Sequence, residues 1–151
     1  MAKMKMMLVD DEERFLHTTS KLLAKKGYDA VTVSSGTEAL EKLISMNIQV
    51  VILDVKMPGM DGNATLKEIK RLYPMVEVIM LTGHATVESA IDGLKGGAID
   101  YLMKPADIEE IIEKAEAAFE KIQSLEEKIR VAQTRRFMKS PREILKSSGN
   151  L

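Results

Sequence analysis

The sequence predicts an α/β fold, a doubly wound sheet of five parallel strands with helices on both faces. Five short apolar runs alternate with five amphipathic stretches of helical spacing, the pattern that βα repetition leaves in a sequence. Three of those runs are almost uninterrupted hydrophobics, as strands covered on both faces require. Start and stop signals for helices fall between them.

"KMMLV" (5–9) is the first strand. Phe15, Leu22 and Leu23 mark the helix after it, which Gly27 closes. "DAVTV" (29–33) is the second strand; Ser35 with Glu38 then forms a capping box before Ala39, Leu40, Leu43 and Ile44. "VVIL" (50–53) follows, with a weaker helical pattern carried by Leu66 and Ile69. "EVIML" (77–81) is the fourth strand, and Val87, Ala90, Ile91 and Leu94 mark a helix ended by Gly96 and Gly97. "DYLM" (100–103) completes the sheet, and Asp107 with Glu110 opens the last helix. Right-handed crossovers between parallel strands then place helices on both faces.

The last helix is longer than one sheet needs. Its apolar stripe runs through Ile108, Ile112, Ala115, Phe119, Ile122, Leu125, Ile129 and Ala132, and Pro141 bounds it. The stripe fits equally a helix whose far end packs back on its own domain and a dimerising or linker helix. The expected division is a compact domain over 1–120 and an extended helix with a basic tail over 121–151.

Composition narrows the class. The chain is 45% hydrophobic and 30% charged over 151 residues, enough for one real core. No apolar run approaches a membrane span, and the N-terminus lacks the pattern of a secretory signal. Without cysteine, disulfides, thiolate metal sites and cysteine nucleophiles are excluded. A cytoplasmic address and no membrane partner are expected. The net charge of −1 divides into about −7 before Lys128 and about +6 from Lys128 onward. "RRFMKSPREILK" (135–146) could touch phosphates, but the tail is too short for a helix-turn-helix. It reads as solvated, and direct DNA binding is not expected.

Polar residues collect at the strand ends. In open parallel sheets, ligands bind beyond the carboxyl ends of the strands. The first strand finishes at Asp10 and Asp11, the third at Asp54, the fourth at Thr82 and the fifth just before Lys104. Singly, each is an ordinary loop residue; together they define one rim. Carboxylates without histidine or cysteine suit a hard cation, most naturally Mg2+. A lysine ammonium and a threonine hydroxyl suit the oxygens of a phosphoryl group. Asp54, emerging alone from the central strand in "VVILDVKMPGMDG" (50–62), is the candidate nucleophile, giving an aspartyl phosphate.

"LVDDE" (8–12), "LDVKMPGMDG" (53–62), "LTGHAT" (81–86) and "GAIDYLMKP" (97–105) together resemble the receiver domain of two-component response regulators. The stretch from Leu81 to Pro105 is similar to receivers of enhancer-binding transcription activators. The resemblance implies a flavodoxin-like strand order 2-1-3-4-5 with Asp54 as phosphoacceptor. It implies Asp11 as direct ligand of Mg2+, Asp10 as its water-mediated companion, and the Lys56 carbonyl as a further ligand. Thr82 would bond the phosphoryl group, and Lys104 would pair with it, or with Asp54 beforehand. Tyr101 would be the aromatic switch and Lys104–Pro105 a cis bond, while Met57, Pro58 and Gly62 would shape the adjacent loop. Implied partners are a sensor histidine kinase or phosphotransfer protein. A second copy could bind through the face of the fourth helix, fifth strand and fifth helix, or through the C-terminal helix.

His84 and Lys56 lie two residues beyond Thr82 and Asp54, where family members tune phosphoryl hydrolysis. His84 reads as an exposed loop histidine rather than a catalytic one, and His17 as surface. The eleven methionines read as core filler. A hydrolase or nucleotide enzyme on the same fold lacks support, since neither GxxxxGK[ST] nor GxGxxG occurs. The expectation is a signalling switch, not an enzyme, that assists only its own phosphorylation and dephosphorylation. The long helix suits a receiver cut from a protein with an output domain, and equally a stand-alone regulator.

Overall fold

The computed structural model describes residues 3–83 and 86–138. His84, Pro141 and most of the basic tail lie outside the described residues. The elements run β1 (Lys5–Val9), α1 (Glu13–Lys25), β2 (Asp29–Val33), α2 (Gly36–Ser45), β3 (Val50–Leu53), α3 (Gly62–Leu72), β4 (Glu77–Thr82), α4 (Val87–Lys95), β5 (Asp100–Met103) and α5 (Ile108–Met138). All strand pairs are parallel, in the order β2-β1-β3-β4-β5. Four strands match the sequence reading residue for residue, and β4 extends one further to include Thr82.

Side chains alternate across the sheet with period two. Met7, Val9, Val51, Leu53, Val78 and Met80 join Ala39 and Leu43 of α2 and Leu66 and Ile69 of α3 in one core. Met6, Leu8, Val50, Ile52, Ile79 and Leu81 join Leu16 and Leu23 of α1 and Ile111, Ala115 and Phe119 of α5 in the other. β1, β3 and β4 are buried almost throughout, whereas edge strand β2 is half open. This explains why three runs, and not five, are nearly continuous hydrophobics.

Helix ends follow the expected chemistry, with differences. Gly27 and Gly97 adopt φ of +88° and +108°, conformations that favour glycine just past a helix end. Ser35 accepts from the Glu38 N–H at 3.2 Å. The Glu38 carboxylate, however, accepts from Ser34 Oγ at 3.0 Å, so only half of the expected box forms there. At the last helix the Asp107 carbonyl, rather than its side chain, receives the Glu110 N–H at 3.0 Å. The complete capping box is at α4, where Thr86 and Ser89 exchange side-chain and backbone bonds. Thr86→Ala should cost about 1 kcal/mol, measurable as a lower urea midpoint at unchanged slope.

Two helices show what the sequence pattern leaves open. On α4 the apolar positions mark the helix but do not seat it: Val87, Ile91 and Leu94 are 79%, 46% and 50% exposed. The inward residue is Gly93, where a Cβ would lie 3.4 Å from Met80 and 3.5 Å from the Tyr101 ring. The helix approaches the sheet through its smallest residue, which turns its apolar stripe outward. α5 spans 31 residues, about 46 Å at the helical rise. It is buried through Ile122, but Leu125 and Ile129 are 45% and 46% exposed. Residues 123–130 are all exposed; the far end of α5 projects past the domain instead of packing back on it.

Candidate functional site

Strand register builds the rim. Val9 pairs with Leu53, and Leu53 with Met80, so Asp10 and Asp54 leave the sheet at the same level. Thr82 pairs with Met103, and the Lys104 N–H donates to the Thr82 carbonyl at 3.0 Å. Residues that are distant in sequence therefore share one edge because adjacent parallel strands end together.

Asp10, Asp11 and Asp54 each bring a carboxylate oxygen within 4.8 Å of the others. Asp10 and Asp54 are buried, at 1% and 4% exposure, and Asp11 is exposed. Backbone amides fix the two buried groups: Val55 N–H donates to Asp54 Oδ1 at 2.8 Å, and Glu12 N–H to Asp10 Oδ1 at 2.9 Å. Burial raises the Asp10 pKa above its ordinary value; the Lys104 and Glu12 hydrogen bonds oppose this, and the Asp54 charge adds to it. An all-oxygen, negatively charged trio of this spacing fits a hard divalent cation.

Lys104 does not reach Asp54 as expected. Its ammonium donates to Asp10 Oδ2 at 2.6 Å and Glu12 Oε1 at 3.1 Å. It also lies 4.2 Å from the centroid of the Phe15 ring. The reason is geometric: the β1–α1 turn, Asp10 to Glu12, presents two carboxylates and α1 an aromatic face on the side where Lys104 leaves β5. Desolvation pulls the Lys104 pKa down, but the bonds from Asp10 and Glu12 outweigh it and the net shift is upward. A raised folded pKa means that Lys104 contributes stability in full below 10.5. That contribution is lost as pH climbs through the folded value. Lys104→Met should therefore flatten the alkaline limb of a stability–pH curve; an unchanged limb would contradict the pairing.

Thr82 is fully buried at the end of β4. Tyr101 is half-buried on β5, packed against the core beneath α4, and its hydroxyl lies 3.0 Å from Ser89 Oγ. Lys104–Pro105 is cis. Lys56 is exposed behind Asp54, followed by buried Met57. Gly62, the first residue of α3, donates its N–H to the Val55 carbonyl at 2.7 Å. Three contributors escaped the sequence reading. In the sequence Glu12 reads as part of a motif and Phe15 as a mark of the first helix, and the Thr86–Ser89 pair lacks the Glu or Gln of a common capping box.

Residues 6–116 match the response regulator receiver domain family. The chain belongs to that family. Receivers are the phosphoryl-accepting signalling modules of two-component systems, not turnover enzymes. Over 111 residues this receiver is 40% identical to the DNA-binding transcriptional regulator NtrC of Escherichia coli K12, covering 74% of this chain and 24% of that protein. It is 41% identical over 112 residues to the transcriptional regulatory protein ZraR of the same organism, covering 72% and 25%. Among solved structures, NtrX from Brucella abortus matches with a TM-score of 0.80 at 29% identity, covering 86% of this chain and 30% of that one. A receiver domain from Clostridium thermocellum matches with a TM-score of 0.76 at 37% identity, covering 81% and 98%. The chain thus spans about a quarter of the length of these curated relatives. Among the described residues no helix is long and apolar enough to cross a membrane.

Proposed function

We propose that this receiver accepts a phosphoryl group on Asp54 from the phosphohistidine of a sensor histidine kinase or a phosphotransfer protein. The observation that carries the reading is the carboxylate trio within 4.8 Å at the sheet rim. Asp54 Oδ1 is held by the Val55 amide, which leaves the second oxygen to attack phosphorus. The new O–P bond forms as the P–N bond to the donor imidazole breaks, and the imidazole departs with the electron pair. Thr82 would donate its hydroxyl, and Lys104 its ammonium, to the phosphoryl oxygens. Asp10, Asp11, Asp54 and the Lys56 carbonyl would hold Mg2+, which would offset the carboxylate charge and orient the incoming phosphoryl group.

The output follows from the neighbouring surface. Recruitment of Thr82 and Lys104 would bias Tyr101 on β5, and with it the Ser89 contact to α4. That helix presents Val87, Ile91 and Leu94 to solvent beside Met103, which is 61% exposed, an apolar surface of the kind that binds partners. A partner or a second copy would bind at this α4-β5-α5 face or along α5. In this proposal residues 1–120 are the receiver and 121–151 an extended helix or linker with a basic tail, in the cytoplasm, and the switch controls an output partner or dimerisation.

The test is intact mass after incubation with acetyl phosphate, with Mg2+ or with chelator, and light scattering of both states. One hydroxylamine-sensitive phosphoryl adduct should form, and only with Mg2+. No adduct, or one formed equally well in chelator, would refute the reading.

A further inference from the structure

Lys104 sits on a three-sided seat formed by Asp10, Glu12 and the face of Phe15. Glu12 is the N-cap residue of α1, yet its side chain makes no cap bond; it is turned to Lys104 instead. Phe15 is half-buried, one turn into the same helix. Two of the three walls thus lie outside the carboxylate trio, and both are used on the ammonium.

Asp10 is shared by both assemblies. Its Oδ1 accepts the Glu12 N–H at 2.9 Å and its Oδ2 accepts Lys104 at 2.6 Å. The Lys104 charge on Asp10 Oδ2 therefore offsets part of the negative charge that would draw a divalent cation, or water bound to it, to Asp10. Whatever strengthens the seat weakens cation uptake, and whatever loosens it frees the ammonium to move toward Asp54. We infer that Phe15 is a positioning residue that holds Lys104 on Asp10 as an internal competitor for Mg2+, and so sets how readily the site takes the cation. The inference rests on the Mg2+ reading given above.

Phe15 is the position to vary. Glu12 is unsuitable, because its charge both seats Lys104 and attracts the cation. Phe15→Leu removes the aromatic face without altering charge. A partly exposed cation–π contact of this kind corresponds to about two- to fivefold in affinity. Tryptophan has the strongest face of the aromatic residues, so Phe15→Trp should act in the opposite direction.

The experiment is calorimetric titration of MgCl2 into the full chain and its Phe15→Leu and Phe15→Trp variants, each repeated with Lys104→Met. Phe15→Met replaces Phe15→Leu if the latter unfolds. Expected are tighter binding for leucine by about two- to fivefold, weaker binding for tryptophan, and no dependence on residue 15 once Lys104 is gone. Equal affinities across the series, or a dependence that persists without Lys104, would overturn the inference while leaving the Mg2+ site intact. No Mg2+ uptake by the unaltered chain would overturn both.

Discussion

Asp54→Asn is expected to take up no phosphoryl group from acetyl phosphate and Mg2+, under conditions where the unaltered chain should gain one. The substitution is nearly isosteric, and its carbonyl oxygen can still accept the Val55 N–H that Asp54 receives at 2.8 Å. An amide lacks the anionic oxygen that attacks phosphorus, so the rate should fall by about 10⁴-fold or more. The same variant should be more stable than its parent in chelator. Asp10 and Asp54 are almost fully buried within one trio of carboxylates, and burial holds the Asp10 pKa above 3.8, with Asp54 adding to the rise. A carboxylate raised in this way destabilises the fold above its folded pKa, and that cost disappears only as pH falls toward 3.8. Neutralising Asp54 relieves part of it. Thermal unfolding and intact mass on one preparation test both halves. An adduct of normal yield on the variant would move the nucleophile elsewhere.

Gly62→Ala is expected to be the most damaging single methyl group in the site. A Cβ at Gly62 would stand 2.1 Å from the Asp54 carbonyl oxygen and 2.6 Å from Val55 Cα. Both neighbours are backbone, so neither can rotate aside. α3 must lift or the Asp54–Val55 peptide must shift, and the cost should be about 3 kcal/mol or more. Gly59→Ala is the control. Gly59 has φ of +75° but nothing within 4 Å of its Cβ position, so its cost is the left-handed backbone alone, roughly 1–2 kcal/mol. Urea unfolding should separate the two variants. Phosphoryl uptake should be impaired in Gly62→Ala even where it remains folded, because the displaced peptide carries Asp54. Equal losses at the two positions would show that close backbone approach is not what Gly62 provides.

Much of the fold is written locally. β1, β3 and β4 are legible because strands buried on both faces must be apolar at nearly every position; β1 and β3 stop where Asp10 and Asp54 interrupt the run, and β4 continues one residue past it through Thr82. The rim itself follows from those interruptions, since parallel strands joined by right-handed crossovers end at one edge. The resemblance of four motifs then supplied the roles proposed for Lys56, Tyr101 and Pro105.

The seating of α4 was not legible. Val87, Ile91 and Leu94 have the spacing of a buried face, yet the close approach of the helix is made through Gly93. Periodicity reports that a helix has an apolar side, not which side the sheet will take. On α5 the same stripe is buried up to Ile122 and open beyond it, because the sheet ends and the helix does not.

The sequence by itself determined the five strands and the oxygen-rich rim, and named the residue set proposed to meet a phosphoryl group, because each depends on residue type and short-range spacing. Only the tertiary structure decided whom Lys104 holds. Asp10 and Glu12 lie 94 and 92 positions away along the chain. That choice depends on how β5 and the start of α1 are placed across the rim, where the ammonium meets two carboxylates and a ring before it can reach Asp54.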